Sequence, residues 1–122
     1  MPDSQQIPSN DVIETLLNRV SVRKYTDEPV SEAMVETILK TAVRAPTSSN
    51  IQSYSVVVVR DQAKRDALAA ATGGQRHVAE APVFLAFCAD LTRIEDALVR
   101  NGHSIDSNNL ETGLVSAIDA AL

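Results

Sequence analysis

The stretch Ser53-Tyr54-Ser55-Val56-Val57-Val58-Val59-Arg60 decides the fold class of this 122-residue chain. Its uninterrupted β-branched run, bounded by polar residues, predicts a strand that is covered on both faces. The apolar run Val83-Phe84-Leu85-Ala86-Phe87-Cys88-Ala89 predicts a second buried strand. Because helical patterns alternate with these two strands, we expect an α/β/α layered sandwich.

Each helix flanking the strands is predicted to begin at a short polar side chain, which can accept hydrogen bonds from the first backbone N–H groups. The capping residues are Ser9, Asn10 or Asp11 for the first helix, then Ser31, Asp61 and Asp90. Apolar residues at helical spacing extend these helices to about Val20, Arg44, Gly73-Gly74 and Asn101-Gly102. The second helix carries a broad apolar stripe that we expect to be buried.

The two ends of the chain differ in character. Residues 1–10 are polar with two prolines and predict a flexible arm, whereas residues 11–122 have the pattern of a single domain. Residues 110–122 form an Ala-rich helical pattern that stops without a cap, a glycine or a polar tail. A helix without an end signal favours a truncated chain.

Composition and charge limit the possible partners. With a net charge of -5 and a pI near 4.9, the surface repels nucleic acid and anionic lipid unless basic residues are segregated on one face. No apolar run approaches the ~20 residues of a membrane helix. Residues 1–10 have neither a basic start nor an apolar centre. We therefore expect a cytoplasmic protein that binds neither nucleic acid nor membranes.

Cysteine and histidine usage argues against metal and thiol chemistry. A single cysteine, Cys88, excludes an internal disulfide framework, and its apolar surroundings predict an inert, buried thiol. Neither His77 nor His103 has a carboxylate or a second histidine at metal-ligand spacing. We expect no metal site.

The segment Arg19-Val20-Ser21-Val22-Arg23-Lys24-Tyr25 concentrates cations directly after the first helix. Two guanidinium groups four residues apart, with a serine between them, can hold a compact anion such as the phosphate of a cofactor. The alternative is an ordinary helix end, where cations face the negative pole of the helix dipole.

Two further segments permit both a structural and a functional interpretation. Thr47-Ser48-Ser49-Asn50-Ile51-Gln52 is dense in short polar side chains, which commonly satisfy their own backbone in turns. Gly73-Gly74 ends a helix, but two glycines also let the backbone approach a flat ligand closely.

The order of these segments resembles the FMN-dependent nitroreductase and flavin reductase family, especially its NADPH-dependent oxygen-insensitive nitroreductase branch. The resemblance is carried by residues 19–25, Thr26-Asp27-Glu28-Pro29-Val30, Ala45-Pro46 with residues 47–52, and Thr72-Gly73-Gly74-Gln75-Arg76-His77-Val78-Ala79. Members of this family are considerably longer. The resemblance therefore implies that residues 11–122 are the N-terminal portion of a nitroreductase-like domain.

The resemblance also implies a role for particular residues. Arg19 would hold the FMN phosphate, Ser21 would bond along the phosphate and ribityl chain, and Arg23 would lie toward the ribityl and pyrimidine side. Thr47, Ser48 and Asn50 would reach FMN from the neighbouring subunit of an intertwined homodimer. Gln75 would read the polar edge of the isoalloxazine ring. No catalytic residue is predicted, because the cofactor carries the difficult chemistry.

The activity implied by the resemblance is transfer of hydride from NADPH or NADH, through FMN, to a small-molecule acceptor such as a nitroaromatic, a quinone or free flavin. The implied architecture is an α+β, three-layer sandwich with a mixed, mainly antiparallel sheet, incomplete in this chain. Two alternatives stay open at this point. One is a flavin-binding or structural fragment without turnover, and the other is a small acidic protein-interaction module.

Overall fold

The computed structural model describes residues 9–106 and 109–122. The predicted flexible arm, residues 1–10, lies outside these ranges except for its last two residues. Within the described ranges the chain forms helices joined to two strands, in the order α1 (Asp11–Leu17), α2 (Glu32–Ala42), β1 (Tyr54–Val59), α3 (Gln62–Ala71), α4 (Arg76–Glu80), β2 (Phe84–Ala89), α5 (Thr92–Arg100) and α6 (Leu110–Ala121). None of the helices in these ranges has the length and apolar character needed to cross a membrane.

Side-chain caps start α1, α2 and α3 as the sequence predicts, whereas the N-cap of α5 is Leu91 and not the predicted Asp90. Asn10 Oδ1 accepts hydrogen bonds from the backbone N–H groups of Val12 and Ile13, both at 3.0 Å. Ser31 caps α2 through Met34 N at 3.2 Å. These caps satisfy N–H groups that have no partner inside the helix, so they fix where each helix begins.

Asp61 caps α3 in the same way, accepting from Lys64 N at 2.9 Å. The C-terminal end of α1 differs from the prediction, because the helix stops at Leu17 instead of extending to Val20. The residues from Arg19 onward therefore lie in a connection without regular secondary structure and not in a last helical turn.

In the part of the chain that the structure describes, the sheet is a single antiparallel pair, in register from Tyr54 opposite Ala89 to Val59 opposite Phe84. The connection between the strands contains α3 and α4, so β1 and β2 pair although they are distant in sequence. Helix α6 contacts both strands and forms a layer on the sheet. This arrangement confirms a mixed helix-and-strand fold with antiparallel pairing.

The prediction that both strands are covered on both faces is wrong for this chain. Val57 keeps 52% of its surface exposed and Phe87 keeps 41%. Cys88 is exposed as well, so the predicted buried thiol is also wrong. The physical reason is that a two-stranded sheet with a helical layer shields only part of its surface, and the apolar pattern of a strand does not reveal how many neighbours the strand has.

The apolar stripes of α1 and α2 are also more exposed than predicted. On α2 only Val35 is buried, whereas Met34 and Ile38 stay exposed. On α1 the large apolar side chains Val12, Leu16 and Leu17 are exposed. A pattern of period 3.6 shows that one face of a helix is apolar, but not that the chain itself covers that face.

Candidate functional site

The basic segment lies in the connection between α1 and α2, outside any helix or strand, and Arg19, Ser21 and Arg23 are all exposed along it. Within the described ranges neither guanidinium group has a hydrogen-bond or ion-pair partner, and neither does the Ser21 hydroxyl. Because α1 ends at Leu17, Arg23 lies well beyond the last turn, where the helix dipole no longer acts. The helix-end interpretation therefore does not account for Arg23, and both cations are available to an anion.

The polar loop, residues 47–52, contains a 3-10 turn at Ser48–Asn50. Three of its non-glycine residues have positive φ, namely Ser49 at 52°, Asn50 at 55° and Gln52 at 55°. Each such residue costs on the order of 1 kcal/mol, so the loop persists only if its surroundings fix it. Part of that support is internal, because the Gln52 backbone N–H donates to Thr47 Oγ1 at 3.3 Å and Gln52 Nε2 donates to Asn50 Oδ1 at 3.3 Å.

The rest of the support comes from Asp119 on α6. The Ser48 backbone N–H lies 3.1 Å from Oδ1 and 3.0 Å from Oδ2 of this carboxylate, and the Ser48 hydroxyl donates to Oδ1 at 3.0 Å. Asp119 is buried, with 4% of its surface exposed. These hydrogen bonds join loop 47–52 to a helix 71 positions away in sequence.

Gln75 follows Gly73 and Gly74, whose φ angles of 82° and 77° lie in the left-handed region. A β-carbon added at either glycine would meet no atom within 4 Å, so the backbone there is open to a ligand. The Gln75 Nε2 group donates to the Thr72 carbonyl at 3.0 Å, and the amide oxygen accepts no hydrogen bond within the described chain.

Helix α4, which begins just after Gln75, is anchored by α3. Arg65 is buried and its Nε donates to the Ala79 carbonyl at 3.4 Å, while Gln62 Nε2 donates to the same carbonyl at 3.2 Å. The Arg65 guanidinium also donates to the Arg60 carbonyl and to Gln62 Oε1. These contacts fix the direction in which the chain leaves Gly73-Gly74.

The predicted site residues fall into three groups. Within the described ranges, no hydrogen bond connects one group to another. The groups are Arg19, Ser21 and Arg23 on the basic segment, Thr47, Ser48 and Asn50 on loop 47–52, and Gln75 before α4. Sequence reasoning missed Asp119 and Arg65. A carboxylate in the mostly apolar second half of α6 could have revealed Asp119, because buried charges need hydrogen-bond partners.

One cleft that Tyr25 lines, at the end of the basic segment, has acidic residues in its wall. It measures about 560 Å³, and its wall includes Asp27, Asp66 and Glu80. Negative charge there opposes a phosphate, so any phosphate contact belongs to the exposed side chains of residues 19–23. Residues 9–106 and 109–122 contain no group of three or more His, Cys, Asp or Glu side chains placed to hold a metal ion.

Comparison with known sequences shows which protein family the chain matches. Residues 16–121 match the sequence profile of the nitroreductase family. The chain belongs to that family. The nitroreductase match covers the basic segment, loop 47–52 and Gln75, so it includes every residue that the sequence resemblance singled out.

Individual relatives agree with this assignment. The FMN reductase [NAD(P)H] of Bacillus subtilis is 39% identical over 116 residues, which are 93% of this chain and 46% of that protein. The oxygen-insensitive NADPH nitroreductase of Salmonella typhimurium is 46% identical over 81 residues, 66% of this chain and 34% of that protein. The chain thus spans less than half the length of these nitroreductase relatives.

The fold of this family member agrees with a solved structure. The NADPH:FMN oxidoreductase of Vibrio harveyi, solved in complex with NAD+, superposes with a TM-score of 0.83 at 34% identity, over 92% of this chain and 47% of that one. The expected nitroreductase-like α+β fold, incomplete in this chain, is therefore confirmed.

Proposed function

We propose that this chain binds FMN as part of an NAD(P)H-dependent oxidoreductase that reduces nitroaromatics, quinones or free flavin. The observation that carries the proposal is a pair of guanidinium groups, Arg19 and Arg23, which have no partner among the described residues and lie on an exposed segment of a nitroreductase-family chain. Relatives are named as an FMN reductase and as an NADPH nitroreductase, which supports both the cofactor and the electron donor.

The basic segment fits the phosphorylated tail of FMN. Arg19 would hold the phosphate, and the Ser21 hydroxyl would donate along the phosphate and ribityl chain. Arg23 would lie toward the pyrimidine side of the flavin, where a fixed positive charge favours the reduced, anionic form. None of these side chains has to break an internal hydrogen bond before binding, because none has a partner in the described ranges.

The other two groups fit the flavin ring. Within the described ranges the Gln75 amide oxygen has no hydrogen-bond donor, and the open backbone at Gly73 and Gly74 would let a flat ring approach. Thr47, Ser48 and Asn50 would reach FMN from a second copy of the chain in a homodimer. The Ser48 hydroxyl already donates its hydrogen to Asp119. We therefore expect that Ser48 contacts the cofactor only as a hydrogen-bond acceptor, or that the neighbouring loop residues make the contact instead.

The chemistry of the reaction would come from the cofactor. When bound, FMN would supply hydride transfer between NADPH or NADH and the acceptor. The protein would contribute orientation and charge, so no side chain is assigned as an acid or a base.

The test is a titration of the purified chain with FMN, followed by anaerobic addition of NADPH or NADH. We expect flavin fluorescence to be quenched on binding and the visible flavin absorbance to bleach when the donor is added. Binding without bleaching would contradict the proposed activity and favour a flavin-binding fragment without turnover. The absence of any FMN binding would contradict the proposal and favour a protein-interaction role.

A further inference from the structure

The Ser48–Asp119 contact connects loop 47–52 to a part of the fold that the flavin proposal leaves without a role. Within the described ranges the Asp119 carboxylate accepts hydrogen bonds from Ser48 alone, and it forms no ion pair. A buried carboxylate without a cation is expensive to keep, so its hydrogen bonds to the loop must offset much of its lost hydration.

Asp119 supplies the cap that the 3-10 turn lacks locally. Thr47 occupies the N-cap position of the turn but makes no side-chain hydrogen bond to it. Its hydroxyl instead accepts from Gln52 N, at the far end of the loop. The first free N–H group of the turn, that of Ser48, is capped by Asp119 from α6, and a carboxylate is the strongest acceptor for such a group.

The cap is attached where the loop is most strained. Ser49 and Asn50, directly after Ser48, have positive φ angles although neither is glycine. Holding Ser48 by both its N–H and its hydroxyl fixes the backbone entering this conformation, and therefore the direction in which Asn50 points. Loop 47–52 and α6 also line a common cleft of about 240 Å³, so the loop does not lie against α6 along its whole length.

We propose that Asp119 is a positioning residue, which holds loop 47–52 in the conformation that presents Thr47 and Asn50 to the flavin. The flavin part of this role rests on the function proposed above, whereas the effect on the loop does not. Asp119 itself is buried and would not touch the cofactor.

The experiment has two measurements on the same variants, amide hydrogen exchange at Ser48 and FMN affinity. In Asp119→Ala the Ser48 amide should exchange at least ~10-fold faster, since its acceptor is gone. FMN affinity should fall about 10- to 100-fold, as for the loss of hydrogen bonds to a charged group. In Asp119→Asn one amide oxygen can still accept from the Ser48 N–H and the amide nitrogen can donate to the Ser48 hydroxyl, so much of both effects should be rescued.

The matched control is Ser116→Ala on the same helix. Ser116 is buried, with 2% of its surface exposed, but its hydroxyl donates to the Thr112 carbonyl of its own helix at 2.8 Å. The control should lower the melting temperature without changing Ser48 exchange or FMN affinity. Equal changes in the control and in Asp119→Ala would reduce Asp119 to a packing role.

Two further outcomes separate this proposal from the flavin proposal. Rapid Ser48 exchange in the unsubstituted chain would overturn the positioning role whether or not FMN binds. If the unsubstituted chain bound no FMN, the proposed function would fail, and exchange at Ser48 would still decide whether Asp119 fixes the loop. Should Asp119→Ala fail to fold, Asp119→Leu takes its place, because leucine fills a similar volume without an acceptor for the Ser48 N–H. Ser48 exchange and FMN affinity in Asp119→Leu that match those in Ser116→Ala would overturn the positioning role.

Discussion

At the scale of single residues, charges without partners are the most informative feature of this chain. Arg19 and Arg23 are exposed and unpaired within the described ranges, whereas the buried Arg65 donates to Ala79, Arg60 and Gln62. The same residue type therefore has opposite roles. Arg65 fixes the backbone that leads away from Gln75, and the two exposed arginines are free to meet an anion.

Arg19→Ala tests this distinction directly. Removing a charge-assisted contact to the FMN phosphate should cost about 1.5 to 3 kcal/mol of binding free energy, which is roughly a 10- to 100-fold loss in affinity by fluorescence titration. Arg100→Ala is the matched control, because Arg100 is exposed at the end of α5 and its replacement changes the net charge equally. Undiminished affinity in Arg19→Ala, or an equal loss in Arg100→Ala, would contradict the phosphate assignment.

At the scale of the elements, hydrogen bonds from side chains set the boundaries and link one element to the next. Asp90 is the clearest example, because it accepts from Ser55 on β1 and from the hydroxyl and backbone N–H of Thr92 at the start of α5. The pKa of Asp90 is lowered from 3.8 to about 2, mainly by the hydrogen bond from Ser55 and next by those from Thr92. The N-cap of α5 is Leu91 and not Asp90 as predicted, but Asp90, one residue earlier, accepts from the first N–H group of the helix and also joins β1 to α5.

The lowered pKa of Asp90 predicts an acid dependence of stability. Since the folded-state pKa lies below the unfolded one, the stabilisation is complete above about pH 4 to 5 and is lost as the pH falls through about 2. The urea midpoint should therefore drop more steeply between about pH 5 and pH 2 in the unsubstituted chain than in Asp90→Asn. Asp96→Asn, which alters an exposed carboxylate on α5, should retain the steep drop. Identical slopes in all three proteins would refute the link.

At the scale of the whole molecule, exposed apolar side chains indicate that this chain covers only part of its own hydrophobic surface. On α6 they recur at a spacing of four residues, with Leu114 exposed by 56% and Ile118 by 51% between Leu110 and Leu122. An aligned apolar stripe is a feature of protein interfaces, unlike single exposed residues. It supports the homodimer that we propose.

Leu114→Asp should therefore weaken self-association. A carboxylate placed in an apolar interface loses its hydration without gaining a partner, so the molar mass measured by sedimentation equilibrium should shift toward that of the monomer. Val99→Asp on α5 makes the same change at an exposed apolar residue outside the stripe and should leave the mass unchanged. A chain that is monomeric before any substitution would count against the homodimer.

Local interactions explain which parts of the fold were predictable. The caps at Asn10, Ser31 and Asp61 depend on atoms within three residues of each other, so the sequence identifies them. The exposure of Cys88 could not be predicted in this way. It depends on how many elements cover β2, and a run of apolar residues looks the same beside two strands or five.

By itself, the sequence determined the two strands, the helix starts and the nitroreductase family, because hydrophobic period, capping side chains and motif order are all written along the chain. Only the tertiary structure decided which guanidinium groups are unpaired, which faces stay exposed, and that Asp119 caps the turn at Ser48. These properties join residues as many as 71 positions apart. Contacts over such distances arise from packing between elements, which no local pattern encodes.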